Sequence, residues 1–250
     1  MMHSFLLIGQ SNMAGRGNMQ NAERFNPARI KLLRNGLWTW AYRPINPDRA
    51  SAGVCLAESF AEEFVKKYGS DVGLIPCADG GTSLDQWQKG EALYENAVFQ
   101  AKLASKTSKI VGVLWHQGES DCDPLLYPTY RPRFEKLMAD LRCDLDLPTV
   151  PFLVGGLGDF LADCHKYEDL KNYTHVNSAL RTIAEQNDNV GFVSSDGLGA
   201  NSDNLHFNAP SLREFGRRYF AKFEEIADPN LLTADASALD ATERSAIEQL

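Results

Sequence analysis

At 250 residues, with 44% hydrophobic and 23% charged side chains, the chain is long enough to bury one substantial α/β core and is ordinary for a globular protein. The 33 acidic residues against 25 basic ones leave a net charge of −8, and no Lys/Arg stripe appears, which disfavours a nucleic-acid surface. No apolar run approaches the ~20 residues of a membrane span, and the five scattered cysteines, without C-x-x-C spacing, point to reduced thiols rather than a disulfide framework.

Phe5 to Ile8 is a short apolar run that predicts a buried strand, and Gly9 stops it. Ser11 then stands where ligands bind in an open α/β sheet, just past a strand's carboxyl end. It is equally placed to cap the next helix, and these residues alone leave both roles open. No charged n-region or long apolar h-region precedes the strand, so the chain as it stands is expected to lack a signal peptide and to be cytoplasmic. Arg16 to Ser51 reads as one long, ordered, irregular excursion over the carboxyl edge of the sheet, carrying Trp38, Trp40 and Tyr42.

Beyond it, Val54–Tyr68 has helical periodicity ended by Gly69, and Val72–Cys77 is a second strand followed by the tight turn Asp79-Gly80-Gly81-Thr82-Ser83. A helix over Glu91–Lys106 leads to the wholly apolar strand Ile110–Trp115. The helix Tyr130–Leu141, strand Val150–Val154, helix Tyr173–Gln186 and strand Val190–Val193 follow. A polar loop, Ser194–Asn208, precedes the last core helix, Ser211–Ile226. Strand and helix alternate five times, which predicts a three-layer α/β/α sandwich around a five-stranded parallel, flavodoxin-like sheet. Residues 1–226 then form one domain, and 227–250 an acidic C-terminal appendage.

Four strand-end loops hold the polar groups that could act together: Gly9-Gln10-Ser11-Asn12, Asp79-Gly80-Gly81-Thr82, His116-Gln117-Gly118-Glu119-Ser120-Asp121, and Asp203-Asn204-Leu205-His206. Serine catalysis needs a hydroxyl, an imidazole to take its proton, a carboxylate to fix the imidazole and donors for an oxyanion. The Asp203/His206 spacing lets a carboxylate reach a neighbouring ring within a turn, and together with a strand-end serine it favours catalysis over separate structural roles. His116, His165 and His175 with Asp163 and Cys164 show no coherent metal spacing, so neither metal nor cofactor is expected. The glycines match neither a phosphate loop nor a dinucleotide fingerprint, and Gly9-Gln10-Ser11-Asn12-Met13 is not G-x-S-x-G.

The four blocks resemble the SGNH hydrolase superfamily, specifically its carbohydrate acetylesterase branch, which holds acetylxylan esterases and sialate O-acetylesterases. The resemblance rests on Gly9-Gln10-Ser11-Asn12-Met13-Ala14-Gly15, Gly80-Gly81-Thr82-Ser83 with Trp87, Trp115-His116-Gln117-Gly118-Glu119-Ser120-Asp121, and Asp203-x-x-His206. It implies that Ser11 is the nucleophile, His206 the general base and Asp203 its orienting partner, with Asp121 the rival for that last role. The implied oxyanion hole combines the N–H of Ser11, an N–H of Gly80 or Gly81, with Gly80 favoured, and the side-chain amide of Gln117. Asn12, Glu119 and Asp121 are expected to support the loops, with Glu119 and Asp121 holding Gln117. Trp38, Trp40 and Trp87 are candidates for a sugar-facing wall, with ordinary packing as the alternative. The implied substrate is a small or oligomeric carbohydrate acetyl ester, with neither nucleic acid nor membrane as partner. A short-chain lipase or thioesterase, and a catalytically silent sugar-binding module, are the alternatives.

Overall fold

The computed structural model describes residues 2–20 and 22–232. The expected acidic appendage therefore lies outside the described residues from position 233 onward.

The elements run β1 (Met2–Gly9), α1 (Ser11–Ala14), β2 (Ile30–Arg34), β3 (Leu37–Trp40), α2 (Leu56–Tyr68), β4 (Val72–Pro76), α3 (Ala92–Ala104), β5 (Ser108–His116), α4 (Tyr130–Leu145), β6 (Phe152–Gly155), α5 (Tyr173–Glu185), β7 (Val190–Val193) and α6 (Ala209–Ile226). They build one sheet in the order β3-β2-β4-β1-β5-β6-β7, so it has seven strands, not the five expected. The five expected strands are all present, adjacent and parallel.

The two additional strands come from the Arg16–Ser51 excursion, which is therefore not irregular throughout. Asn35 and Gly36 both take positive φ, 48° and 79°, which makes the tight turn of a two-residue hairpin between β2 and β3. β2 joins β4 in parallel, and β3 forms an antiparallel edge. Asn-Gly between alternating apolar residues is the sequence signal for this hairpin.

Strand alternation divides the core between the two faces. Leu6 and Ile8 of β1 join Tyr94 of α3, Phe134 of α4 and Leu180 of α5 on one side. Phe5 and Leu7 join Phe60 and Phe64 of α2 and Phe215 and Phe223 of α6 on the other. The rings of Phe60, Phe64 and Phe223 each meet Phe5 edge-on at 4.7–5.3 Å. Truncating a fully buried phenylalanine of this kind costs about 3–5 kcal/mol. α2 ends at Gly69 in the left-handed conformation (φ 61°), and α6 starts from Asn208, whose side chain accepts the Ser211 N–H. Among the described residues, no helix is long and apolar enough to cross a membrane.

The parallel core delivers the carboxyl ends of β1, β4 and β5 to one edge. At the crossover from β1, a Cβ on Gly9 (φ 130°) would lie 2.2 Å from the His116 carbonyl oxygen, so only glycine lets the two strand ends meet. The next residue, Gln10, donates its N–H to that same carbonyl at 2.9 Å. This close approach brings Ser11 beside the loop after β5.

Candidate active site

Ser11 is the first residue of the four-residue α1, and Gln10 occupies the cap position. The capping role for Ser11 therefore fails. Its Oγ lies 3.0 Å from His206 Nε2, and His206 Nδ1 lies 2.7 Å from Asp203 Oδ2. Oδ1 of Asp203 accepts the backbone N–H groups of Leu205 and His206, each at 3.0 Å. Burial works to raise the Asp203 carboxyl, but the His206 ring and the two N–H groups outweigh it and hold it below the usual carboxylate range. Three groups 192 or more positions apart along the chain, Ser11 on one side and Asp203 and His206 on the other, thus form one hydrogen-bonded line.

Asp121, the rival partner for His206, is engaged elsewhere. Its Oδ2 accepts Gln117 Nε2 at 2.5 Å and the Leu84 N–H at 2.7 Å, and its Oδ1 meets Arg133 Nη2 at 2.9 Å. Burial raises its pKa, and these three donors only partly offset the effect.

The expected oxyanion donors are rearranged. Gln117 is fully buried, and both protons of its amide are committed, one to Asp121 and one to the Thr82 carbonyl at 3.1 Å. Its Oε1 accepts the Tyr130 hydroxyl at 3.2 Å. The Gly80 N–H donates to Asp48 Oδ2 at 2.8 Å rather than standing free. Among the described residues, the N–H groups of Ser11 and Gly81 have no acceptor.

Several further contributors carry no signal in the local sequence. Asp48 forms a two-pronged, nearly buried pair with Arg16, at 2.6 and 3.0 Å, and this pair fixes Gly80 beside Ser11. Gln10 Oε1 faces the N–H groups of Gly118 and Ser120 at 3.4 and 3.3 Å. Glu119 holds Asn12 rather than Gln117, accepting its Nδ2 at 2.5 Å. Burial again works to raise the Glu119 carboxyl, and the adjacent His116 ring and the Asn12 amide overcome it, leaving it lowered. A side-chain contact between residues 32 positions apart, as for Arg16 and Asp48, or more than 100 apart, as for Asn12 and Glu119, leaves no trace in local spacing.

The tryptophans do not form a wall. Trp87 is fully buried, edge-on to Trp115, with Nε1 donating to Thr82 Oγ1 at 3.1 Å. β3 runs antiparallel, so its tryptophans lead away from the carboxyl edge. Trp40 pairs with Lys31, itself opposite Gly73 near the start of β4. Trp38 covers Gly73 and donates to Thr107 Oγ1 at 3.0 Å, just before β5. Trp40 is 60% exposed, under the Lys31 ammonium.

With this geometry in view, comparison with known proteins is decisive. The family model described as carbohydrate esterase, sialic acid-specific acetylesterase matches residues 1–225. The chain belongs to this family. It is 31% identical over 235 residues to a probable carbohydrate esterase of Arabidopsis thaliana, covering 85% of this chain and 86% of the plant protein. A crystal structure of an Arabidopsis thaliana protein superposes with a TM-score of 0.78 at 29% identity, over 90% of this chain and 99% of that one. A carbohydrate acetylesterase from Xanthomonas citri (TM-score 0.68, 19% identity, 90% of this chain and 56% of that chain) shares the fold. So does NanS (TM-score 0.68, 18% identity, 90% of this chain and 97% of that chain).

Proposed function

We propose that this carbohydrate esterase removes acetyl groups from sugar hydroxyls through a covalent acetyl-serine on Ser11. The observation that carries the reading is the line Ser11–His206–Asp203, closed at 3.0 and 2.7 Å at the carboxyl edge of the sheet. Ser11 Oγ attacks the acetyl carbonyl carbon while His206 Nε2 takes its proton, forming a tetrahedral oxyanion. The intermediate collapses, and the proton on His206 passes to the departing sugar oxygen. Water then attacks the acetyl-serine, with His206 again taking the proton, and acetate leaves as Ser11 is restored. Asp203 accepts the Nδ1–H throughout, which fixes the tautomer that leaves Nε2 free to accept.

The unpartnered N–H groups of Ser11 and Gly81 are the donors assigned to the oxyanion. The Arg16–Asp48 pair acts behind them by holding Gly80, and Gln117 acts by holding the Thr82 carbonyl and Asp121. Removing a single oxyanion donor typically costs ~2.7–4 kcal/mol of transition-state stabilisation, so correct placement of this turn matters as much as the triad.

The test is acetate release from acetylated xylo-oligosaccharides, O-acetyl sialic acid and a p-nitrophenyl ester series. Activity on acetyl esters is expected to exceed that on butyrate and longer chains. Equal or faster hydrolysis of octanoate would move the assignment to a lipase or thioesterase.

A further inference from the structure

Asn12 follows Ser11 directly and is 1% exposed. Its amide touches both peptide groups that flank His206. Nδ2 donates to the Leu205 carbonyl at 3.3 Å, and Oδ1 accepts the Phe207 N–H at 3.1 Å. The second Nδ2 proton goes to Glu119 Oε1 at 2.5 Å. Glu119 itself lies against His116 Nε2 at 3.5 Å, wholly inside the protein.

We propose that Asn12 is a positioning residue that docks the His206 loop onto the Ser11 segment, and that Glu119 sets the direction of its amide. The proposal rests on the serine-esterase reading and deepens it. Asp203 cannot do this work, because it sits on the same loop as His206 and orients the ring within that loop. Asn201 also donates its N–H to the His206 carbonyl at 2.7 Å, but it ties the loop to the Arg16 carbonyl at 3.0 Å, beyond the end of α1, rather than to the Ser11 turn itself. Among the described residues, only Asn12 joins the nucleophile's own segment to both neighbours of His206. A carboxylate at 119 accepts and never donates while ionised, so it selects one orientation of the amide. Turned over, the amide would set Oδ1 against the Glu119 carboxylate and the Leu205 carbonyl, and Nδ2 against the Phe207 N–H, losing all three bonds at once. The polarity at 119 thus decides whether the peptide after His206 is held.

Two measurements test this. In Asn12→Ser the side chain is too short to span the gap, and hydrogen exchange of the Phe207 amide should accelerate by about fivefold, the equivalent of one ordinary hydrogen bond. Amides of β1 and β5 should keep their protection. Unchanged Phe207 protection overturns the clamp, and this arm needs no enzymatic activity. In Asn12→Asp a second carboxylate faces Glu119, and kcat should fall by roughly 10²-fold with KM little changed, as expected for misplaced reacting groups. The double variant Asn12→Asp/Glu119→Gln restores a donor opposite an acceptor and should regain about tenfold or more of that loss. A folded Asn12→Asp with wild-type kcat, or a double variant no better than Asn12→Asp, overturns the proposal. If the wild-type protein hydrolyses no ester the esterase reading falls, while the exchange result still decides the clamp. If Asn12→Asp does not fold, Asn12→Ser decides it.

Discussion

Gln117→Ala separates two meanings of a residue that motif resemblance and structure interpret differently. As an oxyanion donor, Gln117 would matter to turnover and little to the fold. In the structure it is fully buried, and its amide makes three hydrogen bonds: to the Thr82 carbonyl, to Asp121 Oδ2 and from the Tyr130 hydroxyl. Tyr130 keeps an acceptor after truncation, because its hydroxyl also reaches the Gln117 backbone carbonyl at 3.0 Å. Asp121 keeps Leu84 and Arg133. The Thr82 carbonyl is left without that donor, at about 1–3 kcal/mol, and the lost contact with a charged partner adds about 1.5–3 kcal/mol. Allowing for relaxation, Gln117→Ala should lose about 2–4 kcal/mol of unfolding free energy. Denaturant melts at constant m-value measure this loss, and Tm should fall by roughly 5–15 °C for a domain of this size. An unchanged melting midpoint together with a 10²–10³-fold lower kcat would refute the reasoning and return Gln117 to the oxyanion hole.

Other consequences are as direct. Asp203→Asn should lower kcat by about 10²–10⁴-fold, whereas Asp121→Asn should act mainly on stability; a benign Asp203→Asn, measured by kcat/KM, would remove Asp203 from the line. The Asp203 carboxyl is held below its ordinary value in the folded protein. Its stabilising contribution is therefore complete above the ordinary carboxylate range and is lost as pH falls through the lower folded-state value. That acid-side component should vanish in Asp203→Asn, as followed by Tm against pH. Trp87→Ala should cost about 3–5 kcal/mol of stability, while Trp40→Ala should leave KM for acetylated oligosaccharides unchanged; a raised KM in Trp40→Ala would put that ring back at the substrate. Gly36→Ala forces a side chain onto a left-handed backbone and should cost about 1–2 kcal/mol of stability with kcat intact.

What was legible in the chain follows from how far each signal reaches. The parallel strands are short apolar runs bounded by turns, and all five lie where those runs stand. The hairpin at Asn35-Gly36 is an equally local signal, but the prolines on either side of it, Pro27, Pro44 and Pro47, give the whole segment the composition of a loop. The alignment of Ser11, Asp203 and His206 could be anticipated because a parallel sheet brings strand-end loops to one edge whatever their spacing. Which protons are free at that edge could not. Gly80 and Gln117 are committed by Asp48, Asp121 and Thr82, whose positions depend on packing among distant segments. Trp87 shows the same limit: an aromatic beside a catalytic motif reads as a wall for a sugar, yet its environment is the core against Trp115.

The account stands most directly on Ser11 as the nucleophile, and an organophosphonate ester reports on that without knowledge of the sugar. After incubation with the intact protein, peptide mass mapping should place one covalent phosphonyl group on Ser11. His206→Ala should label far more slowly, and Ser11→Ala not at all. Failure of the wild-type chain to label under conditions where it is folded, or labelling that persists in Ser11→Ala, would contradict the account and favour a sugar-binding module that keeps the fold without the chemistry.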